Sequence, residues 1–311
     1  PQLIASRGYP AETHHVTTED GYILTLHRIP RGRNGSSGGR PVLLQHGLAS
    51  SSFDFLSPLT NQALSYALAD AGYDVWMGNN RGNIYSDKHV GYNNFDHRFW
   101  NFSWDEMGIY DYPAMIDYIV NVTGEPQLYL VGHSQVRFFS KDLSSQVKYF
   151  FALAPSLSST HLGSALLQFG VAHPGLVEDE SIIQSRLNII TAHFPAGTSN
   201  KNWLHWLQQA TNGTKYFDYG VKGNLAEYGT PYPREYNFSS YRVPTSIYFS
   251  PSDKLVSSED QNIALSRLPS SALYRVQNIT GFGHFQFLWG DRAKADIYDE
   301  IIGDINAMEG N

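Results

Sequence analysis

The chain has 311 residues, which at roughly 150 residues per domain suits two domains or one large α/β domain. Hydrophobic residues make up 41% and charged residues 16%, well under the ~25% of an average soluble protein, so the chain can bury a sizeable core and is not intrinsically disordered. A net charge of −7 argues against nucleic-acid binding driven by positive charge, no apolar run approaches the ~18 residues of a membrane span, and the lack of cysteine removes disulfides, thiolate metal sites and cysteine nucleophiles.

Along the chain, residues 12–18 and Tyr22–Ile29 read as a hairpin turning at Asp20-Gly21. A Gly/Ser/Arg-rich loop over 31–40 follows. Short apolar runs then recur at 41–45, 73–77, 127–131, 147–153, 245–249 and 272–276, separated by longer mixed segments. Runs apolar on both faces and interleaved with helices predict a mostly parallel sheet covered on both sides. Helices are predicted over 62–70, ended by Gly72, and from about Pro113 to just before Gly124. Ile297, Ile301, Ile305 and Met308 form the apolar stripe of a C-terminal helix. Between 156 and 217 the strand pattern lapses, and Leu166, Leu167, Ile182, Ile183, Ile189, Ile190, Trp203, Leu204, Trp206 and Leu207 suggest a mostly helical cap. Those apolar positions serve either as core or as the lining for an apolar substrate. The predicted division is a core of residues 1–155 and 218–311 with a cap of 156–217.

The sharpest chemical feature is Gly132-His133-Ser134-Gln135, directly behind an apolar strand. A serine in a tight strand-to-helix turn holds its hydroxyl above the sheet edge, where a base can reach it. Asp253 follows the strand at 245–249, and His284 follows the one at 272–276, so acid and base fall at the carboxyl edge in the order Ser, Asp, His. Backbone amides of Leu48, in the His46-Gly47-Leu48 loop, and of Gln135 are the candidate oxyanion donors. His14 and His15 are adjacent on a strand, point to opposite faces and make a poor metal pair. No metal or cofactor is expected. Six N-x-[ST] sequons, at Asn34, Asn101, Asn121, Asn212, Asn237 and Asn278, suggest a glycosylated export product, and the start at Pro1 reads as a processed form.

Beyond these spacings the chain carries RGYPAETHHVTTEDGYILTLHRIP, LLQHGLASS, GNNRGNIYSDKH, FWNFSWDEMGIYDYPAMIDYI, FFALAP, HFPAGTSNKNWLHW, YFDYGVKGNLAEYGTPYPREYN and GFGHFQFLWG. In these motifs, over residues 6–302, it resembles the acid lipases of the α/β-hydrolase superfamily, the group that includes the gastric and lysosomal acid lipases. The resemblance implies Ser134 as nucleophile, Asp253 as acid, His284 as base, and Leu48 with Gln135 as oxyanion donors. It also implies neutral-lipid or cholesteryl esters as substrates, presented at a droplet or micelle surface, and a secreted or lysosomal setting.

Three departures from the family stand out. Val136 occupies the position of the family's second elbow glycine, where a stiff β-branched side chain predicts strain of ~1–3 kcal/mol and a displaced Gln135 amide. The crossover from Ser134 to the strand at 147 is about a dozen residues, with Arg137, Lys141 and Asp142 where a buried helix should be apolar. The cap is also short. The reading is therefore a serine esterase or lipase with an altered elbow, and the competing one a vestigial homologue that binds lipid without turning it over.

Overall fold

The structure is a computed structural model and describes residues 1–136, 142–158 and 183–310. Arg137, Lys141, Leu166, Leu167 and Ile182 lie outside those residues, as do the side chains of Asp142 and Asn212.

Nine strands form one sheet: β1 (Glu12–Thr17), β2 (Tyr22–Ile29), β3 (Pro41–Gln45), β4 (Asp74–Met77), β5 (Lys88–His89), β6 (Leu128–His133), β7 (Val147–Leu153), β8 (Thr245–Phe249) and β9 (Leu273–Asn278). The order is β1-β2-β4-β3-β6-β7-β8-β9, with β5 paired to β2. The β1–β2 hairpin turns where Asp20-Gly21 predicted it, and β2 lies antiparallel to β4. From β4 across to β9 every pairing is parallel. This is the α/β-hydrolase arrangement, and it follows from runs too apolar to leave either face in water.

The central strands show how the alternation of side chains divides the core. Val42, Leu44, Val75, Met77, Tyr129, Val131, Phe151 and Leu153 join one buried cluster. Their chain neighbours Leu43, Trp76, Leu128, Leu130, Phe150 and Ala152 join the cluster on the opposite face. The first is covered by α1 (Leu64–Asp70) and by α5 (Asp299–Glu309), which inserts Ile301 and Ile305. The second is covered by α2 (Tyr112–Thr123), through Met115, Ile116 and Ile119, and by α4 (Ser258–Arg267), through Ala264. Between α2 and α4 in the chain comes α3 (Asn200–Asn212), whose start is capped by the Ser199 side chain.

One strand departs from the expected pattern. The run at 272–276 was read as apolar on both faces, but β9 is the sheet's edge strand and its residues alternate between half-buried and exposed. Tyr274 is 74% exposed, because helices cover only the face that carries Arg275, which pairs with Glu300 and Asp304 of α5. A second difference concerns α2. It begins at Tyr112 but continues a helical stretch from Trp104, through a π-type turn over Met107–Asp111. That turn aims the buried Asp111 carboxylate at Arg81, 2.7 Å away, while Asp20 takes the other side of the guanidinium at 2.6 Å. Burial pushes the Asp111 carboxyl up to about 6. The fully enclosed Arg81 thus pins the GNNRGN loop beneath the site.

Candidate active site

β6 ends at His133, and Ser134 turns the chain with a φ of +59°, a region sparsely used by residues other than glycine. Its amide donates to the Leu153 carbonyl at 3.0 Å, which ties the turn to the neighbouring strand β7. Its own carbonyl accepts the Val136 amide at 2.9 Å and the Ser156 amide at 3.0 Å. A peptide unit is planar and trans, so clamping this carbonyl also sets the opposite direction of the Gln135 N–H. Among the described residues, neither the Gln135 nor the Leu48 amide donates to a protein group.

The elbow strain predicted at Val136 is not present in its backbone, since the left-handed conformation falls on Ser134 and not on Val136. The Val136 side chain is buried and occupies the space above Gly132, where a β-carbon would stand 2.8 Å from the Val136 Cβ. The glycine two positions before the serine thus makes room for the valine two positions after it. Phe150, Ala152, Leu157 and Ile247 line the space beside this side chain.

Asp253 and His284 meet as predicted. Each leaves the carboxyl end of a parallel strand, and the His284 Nδ1–H faces Asp253 Oδ2 at 2.8 Å. The other carboxylate oxygen of Asp253 accepts the Leu255 amide at 2.8 Å and the Val256 amide at 3.0 Å, so the acid is oriented by backbone. Both side chains are buried. His284 and Ser134 line one cavity with Leu48, Gly47, Phe194, Trp206, Leu255, Val256 and Phe285. Apolar side chains make up most of its wall, as in small-molecule sites. Among the described residues no hydrogen bond joins Ser134 Oγ to the His284 ring. In free enzymes such bonds are often long and tighten when substrate binds.

Three neighbours of the site carried no functional assignment in the sequence. His133, beside the serine, donates from Nε2 to the His284 carbonyl at 3.0 Å, and its ring lies 4.7 Å from the His284 ring. Burial holds its basicity well below the usual imidazole range, and the nearby His284 adds to this, so it stays uncharged beside the His284 ring. Asp54 also lines the cavity. It is buried, accepts a hydrogen bond from Ser50, and is pushed up to about 7 by desolvation. Asp54 could not be anticipated, because only the tertiary placement of the short helical turn Ser52–Phe55 brings it there. His46, singled out beside Leu48, is a buried anchor. It donates from Nδ1 to the Gly47 carbonyl at 2.8 Å, and its Nε2 accepts the Asn80 amide at 3.1 Å and the Asn83 side chain at 3.3 Å. Burial lowers it to about 4, so it remains a neutral strut under the Leu48 loop.

Elsewhere, His14 and His15 are apart as expected. His14 bonds Tyr118 and Glu12, whereas His15 bonds Thr25. Within residues 183–217, Ile183 and Ile190 are buried and Trp206 walls the cavity, while Leu204 and Leu207 are exposed. The sequon residues Asn34, Asn101, Asn121, Asn237 and Asn278 are all exposed.

The sequence and the fold have counterparts among known proteins. A family described as the partial alpha/beta-hydrolase lipase region matches residues 1–59, and the alpha/beta hydrolase fold family matches 40–178. Gastric triacylglycerol lipase of Bos taurus is 35% identical, with 97% of this chain and 89% of that protein covered. Lysosomal acid lipase/cholesteryl ester hydrolase of Homo sapiens is 36% identical, with the same coverage of 97% and 89%. Lipase lipl-1 of Caenorhabditis elegans is 36% identical over 97% of this chain and 90% of its own. Among solved structures, E-2-(acetamidomethylene)succinate hydrolase superposes with a TM-score of 0.60 at 15% identity, covering 97% of this chain and all of that one, a likeness of fold alone. With two matching families and a third of its residues shared with these lipases along nearly its whole length, the chain belongs to the acid lipase family of the α/β-hydrolase superfamily.

Proposed function

We propose that the protein hydrolyses carboxylic esters of neutral lipids through an acyl-enzyme, with Ser134 as nucleophile, His284 as base and Asp253 as its orienting acid. The observation that carries this reading is the convergence on one apolar cavity of a serine in a left-handed turn and an imidazole backed at 2.8 Å by a carboxylate. Asp253 keeps the proton on Nδ1, which leaves Nε2 to take the Ser134 proton as Oγ attacks the ester carbonyl. The carbonyl π electrons move onto oxygen, where the Leu48 and Gln135 N–H groups receive the charge. Collapse of the tetrahedral adduct breaks the bond to the alcohol, which leaves with the proton from His284. Water, activated by the same ring, then frees the acid.

The relatives' names supply the substrate class, triacylglycerols or cholesteryl esters, and the apolar lining of Phe194, Trp206, Leu255, Val256 and Phe285 suits a fatty acyl chain. Such esters are insoluble, so the enzyme would meet them at a droplet or micelle surface. The exposed sequons and the gastric and lysosomal relatives favour a glycosylated protein in a secreted or lysosomal setting. A serine-reactive alkyl phosphonate tests the assignment. Labelling at Ser134 that disappears in His284→Ala supports it, and an unlabelled, folded wild-type protein refutes it.

A further inference from the structure

The oxyanion reading leaves a question of stability of position, because the Gln135 amide sits on a loop and must not rotate when charge develops. The side chain of Gln135 is buried, and its Oε1 is held by two donors. Its Oε1 accepts the Trp206 indole N–H and, at 3.2 Å, the Asn202 Nδ2–H, and its carbonyl oxygen accepts the Tyr112 hydroxyl at 3.2 Å. Asn202 and Trp206 stand four residues apart on one face of α3. Asn202 is held in turn, its Oδ1 accepting the Trp104 amide at 2.9 Å and its own amide donating to Ser199 Oγ at 2.9 Å.

The approach to α3 also reaches the other donor. The Ala196 amide donates to the carbonyl of Ala49 at 2.7 Å, one residue beyond Leu48. Residues 194–206 therefore hold both halves of the oxyanion pocket, and Phe194 and Trp206 also wall the substrate cavity. A buried glutamine is hard to explain by packing, since an apolar side chain of the same length would avoid its desolvation. With Oε1 accepting two hydrogen bonds and Nε2 facing Met107 Sδ at 3.5 Å in a low dielectric, it instead fixes one geometry.

We propose that Trp206 and Asn202 are positioning residues of the oxyanion hole, locking the Gln135 amide through its side chain; this rests on the reading of Ser134 and Gln135 given above. Neither residue touches Ser134, Asp253 or His284 by a hydrogen bond. Their action is thus separable from that of the triad.

The test uses the full chain and a soluble short-chain p-nitrophenyl ester. Trp206→Phe keeps an aromatic ring at the wall and removes the N–H, and Gln135→Met keeps the length and the backbone amide but removes the acceptor. Each is expected to lower kcat about tenfold with KM within about twofold, a fraction of the ~10²–10³ lost with a whole donor. Affinity for a trifluoromethyl ketone, which places an oxyanion at the same spot, should fall by the same factor. The double variant should be no slower than Gln135→Met, because the bond is already gone. Asn202→Asp, which retains the acceptor for Trp104, should show the same kcat-only loss. Additive losses in the double variant, or a raised KM with kcat and ketone affinity unchanged, would mean that Trp206 is only a wall and would overturn the proposal. Should Trp206→Phe fail to fold, wild-type kcat in Gln135→Met overturns it from the acceptor side. Ser134→Ala separates the two readings. Persistent hydrolysis there removes both, whereas abolished hydrolysis together with additive losses removes the positioning role alone.

Discussion

Gly47 packs against Ser134 so closely that a β-carbon at position 47 would stand 2.8 Å from the Ser134 Cβ and 3.1 Å from the His133 carbonyl. The loop carrying the Leu48 amide therefore reaches Ser134 only because residue 47 has no side chain. Neither contact is with the end of a flexible side chain, so neither can yield without moving the elbow. Gly47→Ala is expected to lower kcat by about 10²-fold, the scale of one lost oxyanion donor. Steady-state kinetics on a soluble ester check this, and wild-type kcat in a folded Gly47→Ala protein would show that the loop relaxes freely.

The Asp253–His284 pair leads to a second expectation. Both members are buried, and Asp253 is held by the Leu255 and Val256 amides whether or not it is charged. Asp253→Asn should thus keep the fold but allow the wrong imidazole tautomer, lowering kcat by about 10⁴-fold. Proton NMR of the His284 Nδ1–H, present in the wild type and lost in the variant, gives an independent readout.

Val136 was the residue expected to impair the elbow, and its accommodation above Gly132 reverses that expectation. Val136→Gly should not raise activity. Instead it empties a buried site and frees the unfolded backbone, destabilising the protein by about 2–4 kcal/mol. Urea unfolding alongside kcat measures both. A faster and equally stable variant would restore the strained-elbow account.

Asp54 makes stability depend on pH in a predictable direction. Its carboxyl is pushed up to about 7 in the folded protein, above the ordinary carboxylate range, because burial penalises the charge. Folding then takes up a proton at any pH between the unfolded and folded values, so stability falls as pH rises through that window and the loss is complete above about 7. The buried His27 and His46, lowered to about 4, act the other way, removing stability as pH falls below the ordinary imidazole value. Asp54→Asn leaves those histidines in place. Relative to wild type it should gain stability from pH 4 to about pH 7 and level off above that, as read by denaturant midpoints, and a difference constant from pH 4 to pH 7 would show that Asp54 does not titrate in this range.

Much of the architecture was legible in the chain. Strand positions emerged from apolar runs, because a parallel strand buried on both faces leaves a continuous signal in adjacent residues. The order of serine, aspartate and histidine after three such runs pointed to the triad. Local pattern misjudged β9, because identical apolar runs arise in central and edge strands, and only the neighbours decide how much of each face is covered. It also misjudged Val136, whose fit depends on what lies across from it at Gly132 and not on its own stiffness.

Amino-acid order was enough to specify which segments become strands and which side chains could do chemistry, since those depend on short-range periodicity and residue type. What folding alone decided is how those groups are held. The indole that grips Gln135 lies 71 residues away along the chain, and Asp54 enters the cavity from a short helical turn, Ser52–Phe55, that carries no motif of its own. Hydrogen bonds and desolvation act through space over a few ångströms, so they follow from the packing of the sheet and its helices and leave no imprint on sequence spacing.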